Sequence, residues 1–134
     1  MLTWNGQFAQ DLSIAVDLGG QGLGVFALES FSSAGVYAPL GARTTAAPDP
    51  QGAVTFAVAS AALAVLGSPL VARLKIIGAS PAAAALPVWL SVSQSGAVLA
   101  AHDGTGAVVA TPVRLSPDLP YNAEQLYDFL VWLQ

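Results

Sequence analysis

The sequence predicts an all-β domain: an antiparallel β-sandwich, jelly-roll or immunoglobulin-like, of about seven to nine short strands with one or two short helical turns. Three observations point to it. Apolar residues recur at every second position in several short runs, the period of a half-buried strand. Thirteen glycines and nine prolines punctuate those runs. No long stretch carries the 3.6-residue apolar period of an amphipathic helix except an ambiguous one at the C-terminus.

The elements follow in order. Leu12, Ile14, Val16 and Leu18 alternate with Ser13, Ala15 and Asp17, which predicts a strand. Gly19-Gly20-Gln21-Gly22 and a second run, Leu23 to Glu29, then predict a hairpin. Gly35 to Leu40 is a short strand with Pro39 near its end, and Thr44 to Gly52 is a loop containing Pro48 and Pro50, which cannot donate to a ladder. Val54, Phe56 and Val58 share one strand face. Ser60 is placed to cap a short helix that Gly67 ends and Pro69 blocks.

Leu70, Ala72, Leu74 and Ile76 face inward on the next strand, with Arg73 and Lys75 on its other side. Ser80 and Pro81 suit the cap and first position of one helical turn. Val88, Leu90 and Val92 line another strand, and Ser93-Gln94-Ser95-Gly96 turns it into AVLAAH. His102-Asp103-Gly104-Thr105-Gly106 turns that run into GAVVATPVRL, where Pro112 implies an edge or a bulge. The closing PYNAEQLYDFLVWLQ reads two ways. Asn122 with Gln125 resembles a capping box, and Leu126, Phe129, Leu130 and Leu133 form a helical stripe. As a strand, Tyr127, Phe129, Val131 and Leu133 share a face, and the aromatic and β-branched content favours this reading.

The 134 residues fit a single domain, 1–134, with no internal repeat or boundary. With no cysteine, disulfides and thiolate metal sites are excluded. Charged residues are 9% of the chain, against about 25% in ordinary soluble domains. Four cations and a net charge of −4 argue against a nucleic-acid partner. MLTWNGQFAQDL lacks the basic start and apolar run of a secretory signal. Phe56 to Ala72 is the best membrane candidate, and Gly67-Ser68-Pro69 breaks it too early for a spanning helix, so no membrane partner is expected.

Three stretches invite a chemical reading. His102, the single histidine, adjoins Asp103. Adjacent strand residues point to opposite faces, and Asp-Gly between alternating apolar residues signals a hairpin turn, so a turn with a partly exposed His102 is expected. SIAVDLGGQGLGVFALES resembles the phosphate-gripping hairpin of the sugar-kinase and actin-like ATPase superfamily, which implies a nucleotide phosphate near Asp17, Gly19 and Gly20. Gln21 stands where a hydroxyl residue usually follows, and the downstream basic residue and the two large lobes are missing. The dinucleotide pattern also fails, because Val25 stands where its last glycine belongs. LKIIGASPAAAAL resembles the nucleophile elbow of α/β-hydrolases around Ser80. Ala82 replaces the second glycine, and Pro81 has no N–H for an oxyanion hole. Asp49, Asp103 and Asp118 lie beside proline or glycine and suit turn geometry. Trp4, Trp89 and Trp132 allow a sugar-stacking platform, but core or subunit burial is the plainer role for large aromatics.

No catalytic, cofactor-binding or metal residue is therefore expected, and no cofactor. The overall character, a charge-poor β domain rich in Ala and Gly, resembles small virion structural proteins of tailed bacteriophages: capsid decoration, tail or baseplate, and fibre-attachment proteins. LTWNGQ and LYDFLVWLQ resemble the first and last strands of phage baseplate β-sandwich domains, although PYNAEQLY replaces their Pro-x-Gly-x-Tyr approach. The resemblance implies a non-enzymatic virion subunit whose partners are copies of itself and other virion proteins. Few charges protect the strand edges, which fits that role. A carbohydrate-binding or adhesion module using exposed tryptophans is the alternative.

Overall fold

The computed structural model of the chain describes residues 1–18, 24–31, 37–46, 53–78, 86–120 and 122–134. Within them lie twelve strands and one helix: β1 (Leu2–Gly6), β2 (Leu12–Asp17), β3 (Gly24–Phe31), β4 (Tyr37–Ala46), β5 (Ala53–Val58), α1 (Ser60–Leu66), β6 (Leu70–Gly78), β7 (Leu86–Gln94), β8 (Ala97–Val98), β9 (Ala101–His102), β10 (Val108–Val109), β11 (Val113–Leu119) and β12 (Glu124–Leu133). Nine strands are five residues or longer, and β8, β9 and β10 have two residues each. The seven-stranded sheet has the order β10-β9-β1-β12-β6-β3-β4, and the five-stranded sheet contains β11-β7-β2-β5, with β8 beside β7. This is the two-sheet, all-β architecture expected. One pair, β1 with β12, runs parallel.

Alternation builds the core. Ile14 and Val16 of β2, Val88, Leu90 and Val92 of β7, and Val54, Phe56 and Val58 of β5 are buried from the small sheet. Leu70, Ala72, Leu74 and Ile76 of β6 are fully buried from the large one. The C-terminal segment is a strand: Tyr127, Phe129, Val131 and Leu133 are buried on one face, and the helical stripe does not form. Trp4 meets Phe129 edge-to-face at 5.5 Å and 76°, so the first and last strands share the centre of the core. Such a pair contributes about 1 kcal/mol beyond its burial.

Several expectations need correction. The hairpin between Leu12–Leu18 and Leu23–Glu29 does not form, because β2 pairs with β5 and β7 whereas β3 pairs with β4 and β6 in the other sheet. Alternation reports that a strand buries one face; it does not choose the partner, and β2 finds six register pairs on each side with distant strands. β4 begins at Tyr37 and runs to Ala46, so Pro39 lies near its start, and Thr44 to Ala46 are strand and not loop. Pro39 is tolerated because β4 is a sheet edge. Ser60 does not cap α1. Asp11 does so from across the chain, its Oδ1 accepting the Ser60 N–H at 2.8 Å. Gly67 ends the helix as expected, at φ 82° with its N–H on the Leu63 carbonyl.

AVLAAH and GAVVATPVRL each divide between the sheets. β8 and β11 lie on the small sheet, and β9 and β10 on the large one. Pro112 marks the break in the second run, just before β11. The expected turn after β7 is present, with Ser95 at φ 50° and Gly96 at φ 76° between the paired Gln94 and Ala97. Two successive positive φ angles are the requirement of a type I′ turn. The helical turn expected at Ser80–Pro81 lies outside the described residues.

Candidate functional site

His102 and Asp103 do not form a catalytic pair. His102 ends β9 opposite Thr3 and Val108, and it is half-buried. Its Nδ1 is buried with no hydrogen-bond partner among the described residues. Asp103 points instead into its own turn. Its Oδ1 accepts from the Thr105 N–H at 2.9 Å, the Thr105 hydroxyl at 2.6 Å and the Ala107 N–H at 3.1 Å. These bonds, led by that of the Thr105 hydroxyl, hold the Asp103 carboxyl below its usual pKa. The turn is the one expected, in a different form: the positive φ falls on Gly106, at 86°, and five residues link the paired His102 and Val108.

The other candidates are dispersed. Asp17 ends β2, while Gly19, Gly20, Gln21 and Gly22 lie outside the described residues, as do Ser80 and Asp49. Asp118 sits in β11 and pairs with Arg114 at 3.1 Å. The three tryptophans make no common platform. Trp4 is fully buried in the core. Trp89 lies on the outer side of the small sheet, with the Arg114 guanidinium 5.7 Å from its ring centre. Trp132, on β12 of the large sheet, is 46% exposed. Among the described residues no three acidic or imidazole side chains gather as a metal site, and no helix is long and apolar enough to cross a membrane.

The outer face of the large sheet carries a charged band. Arg73 grips Asp128 with two hydrogen bonds, 2.8 and 3.1 Å, and Lys75 reaches Glu29 at 2.8 Å. The Asp128 bond and charge raise the Arg73 pKa. Strand register makes this band: Asp128, Arg73 and Glu29 lie opposite one another across β12, β6 and β3. With Arg114 on Asp118, three of the four cations of the chain are neutralised within the surface. No protein family, curated protein or solved structure matches the chain. Its functional reading therefore rests on the surface itself.

Two features of that surface stand out. The first is the set of exposed large apolar side chains: Trp132 and Leu126 on β12, Val108 at 69% on β10, Val98 on β8 and Val65 on α1. The second is an amide-lined cleft of about 430 Å³ where β1, β7 and β12 end, bounded by Asn5, Gln7, Gln10, Gln94, Ser95 and Gln134. Gln94 is its buried floor. Its Oε1 accepts the Gln7 N–H at 2.8 Å, and its Nε2 donates to the Gln7 and Gln10 carbonyls at 2.8 and 3.2 Å. Sequence reading placed Gln94 in a turn. The signal available was its position: it continues the inward series Val88, Leu90, Val92 by one step.

Proposed function

We propose that this chain is a non-enzymatic structural subunit that works by self-association and by docking on a larger assembly, and that this assembly is the particle of a tailed bacteriophage, as a decoration, tail or baseplate, or fibre-attachment component. One observation carries the reading. The exposed side chains Trp132, Leu126 and Val108 share a sheet on which Arg73 and Lys75 are already neutralised by carboxylates beside them. Such a surface can meet a neighbour without stripping water from unpaired charge, which is the larger penalty in forming a contact. Obligate interfaces are apolar in this manner. The phage setting draws on the resemblance of composition and of the two end strands.

Sedimentation of the purified protein from low to high micromolar concentration, with electron microscopy of the same sample, tests this. A discrete oligomer or an ordered array is expected. A single copy at every concentration, with no binding to particles, overturns it.

A second reading has its own observation. Trp132 lies opposite Asn5 in the β1–β12 register, and Asn5 borders the amide-lined cleft. A half-exposed indole beside neutral donors and acceptors suits a neutral sugar. Glycan-array binding abolished by Trp132→Ala would favour this module over the assembly subunit.

A further inference from the structure

Besides the two-residue β8, which flanks β7, the two sheets leave four edge strands among the described residues, and three of them are guarded. β10 has only two residues. β4 contains Pro39 and Arg43, and its register with β3 breaks twice. β11 contains Arg114, Pro117 and Asp118, and its register with β7 breaks between Leu115 and Leu119. Shortness, proline, charge and bulges each stop an edge from recruiting another strand. β5 has none of them. Its sequence AVTFAV holds no charge, no proline and no glycine, and it pairs with β2 across all six residues without a break. No described strand pairs with its other side.

We propose that β5 is the edge through which this protein self-associates: β5 of one copy pairs antiparallel with β5 of a second copy and joins two small sheets into one. This deepens the assembly reading above and rests on it. Charge favours a second copy as the occupant. A charge-free strand meeting itself places no ion in the junction, whereas a charged strand would lose hydration beside Val54, Phe56 and Val58 without gaining a counter-ion from β5. Asp17, at the end of β2 opposite Ala53, is carried to the far end of the junction in the antiparallel copy, so the two carboxylates do not meet. Directly opposed residues share a face, so the buried faces of the two small sheets continue across the junction. The guards on β11 stop further growth of the sheet, and a two-fold contact of this kind closes at two copies.

Thr55 and Ala57 are exposed on the outer face of β5. In any register that keeps the faces continuous and centres the pair near them, Thr55 opposes Thr55 or Ala57 of the copy. The paired variants Thr55→Lys with Ala57→Lys, and Thr55→Glu with Ala57→Glu, therefore set like charges against each other in homodimers and opposite charges in a mixture. Sedimentation velocity is the readout, with circular dichroism to verify folding. The wild type is expected to be a dimer, each variant alone to dissociate with a constant at least about tenfold higher, and an equal mixture of the two to dimerise again. Folded variants that associate like the wild type overturn the β5 edge and leave self-association to another surface. A mixture that stays monomeric overturns copy-to-copy pairing. A wild type monomeric at every concentration overturns the assembly reading as well, and leaves a strand of another protein as the occupant. Should the paired variants not fold, Thr55→Lys and Thr55→Glu are measured in the same way, with the same outcomes, because residue 55 meets its own copy directly or diagonally in both registers.

Discussion

Asp103 and Gln94 each hold a turn with three hydrogen bonds, one at the surface and one in the interior. Asp103 bonds residues two and four positions away, in an exposed turn. Gln94 bonds residues 84 and 87 positions away and is 4% exposed. The bonds of Asp103 define a local conformation that water can replace. Those of Gln94 tie the β1–β2 crossover, which passes from one sheet to the other, to the end of β7. Removing its carboxamide leaves partly buried Gln7 and Gln10 groups without partners, and an unmade buried bond costs more than a made one contributes. Equal numbers of bonds therefore carry unequal weight, and the depth and span of each set decide which.

The largest expected effect tests that inequality directly. Gln94→Leu keeps the volume and removes all three bonds, and it should cost about 3 kcal/mol in urea unfolding. A loss no greater than that of Asp103→Ala would break the comparison. Gly6→Ala approaches the same point from the other side. A Cβ at Gly6 would stand 2.6 Å from the Gln94 Oε1, and that oxygen is held in place by the Gln7 N–H. A cost of about 2 kcal/mol is expected, because the carboxamide must move or the strand must shift. The double variant Gly6→Ala with Gln94→Ala should cost less than the sum of the two single changes, since the clash is absent.

How much of this was legible in the sequence follows the same division. Strand faces were readable wherever alternation was clean, as at Leu70, Ala72, Leu74 and Ile76, or Tyr127, Phe129, Val131 and Leu133, because period two is a local property. The Asp103 turn was readable for the same reason, although its positive φ fell on Gly106 and not on Asp103-Gly104. Partner choice was not. Leu12–Leu18 and Leu23–Glu29 look like a hairpin, and only the match of β2 with β7 and β5 places them in different sheets. The role of Asp11 as the cap of α1 depends on residues 49 positions apart meeting, which no local pattern announces. Gln94 sat one step beyond an apolar series. The alternation places it on the inward face, but nothing local says that it bonds the crossover.

Tyr127 is an intermediate case, buried but bonded only ten positions away: its hydroxyl donates to the Pro117 carbonyl at 2.7 Å. Burial first, and Asp118 second, push its pKa from 10.0 to about 12. The neutral phenol is the form the fold favours. Its stabilisation is complete below the unfolded value and is lost as pH rises through the folded one. Thermal stability of the wild type should therefore fall more steeply between about pH 10 and 12 than that of Tyr127→Phe. At neutral pH that substitution should cost about 1 kcal/mol, less than Gln94→Leu.

The smallest effect belongs to Asp103. Asp103→Ala should lower the melting temperature only slightly at neutral pH, because water can satisfy the freed Thr105 and Ala107 donors. Its sign with pH is opposite to that of Tyr127. The folded carboxyl has a depressed pKa, so its stabilisation is present above the unfolded value and is lost as pH falls through the folded one. The difference between wild type and Asp103→Ala should vanish in acid below the ordinary carboxylate range, while the deficit of Gln94→Leu, which involves no proton, should persist there. Thr105→Val sharpens the point. The hydroxyl of Thr105 is the largest cause of the depression, so its loss should move the Asp103 titration, followed by NMR, up toward the ordinary value. An unmoved titration would mean that the backbone donors alone hold the carboxylate.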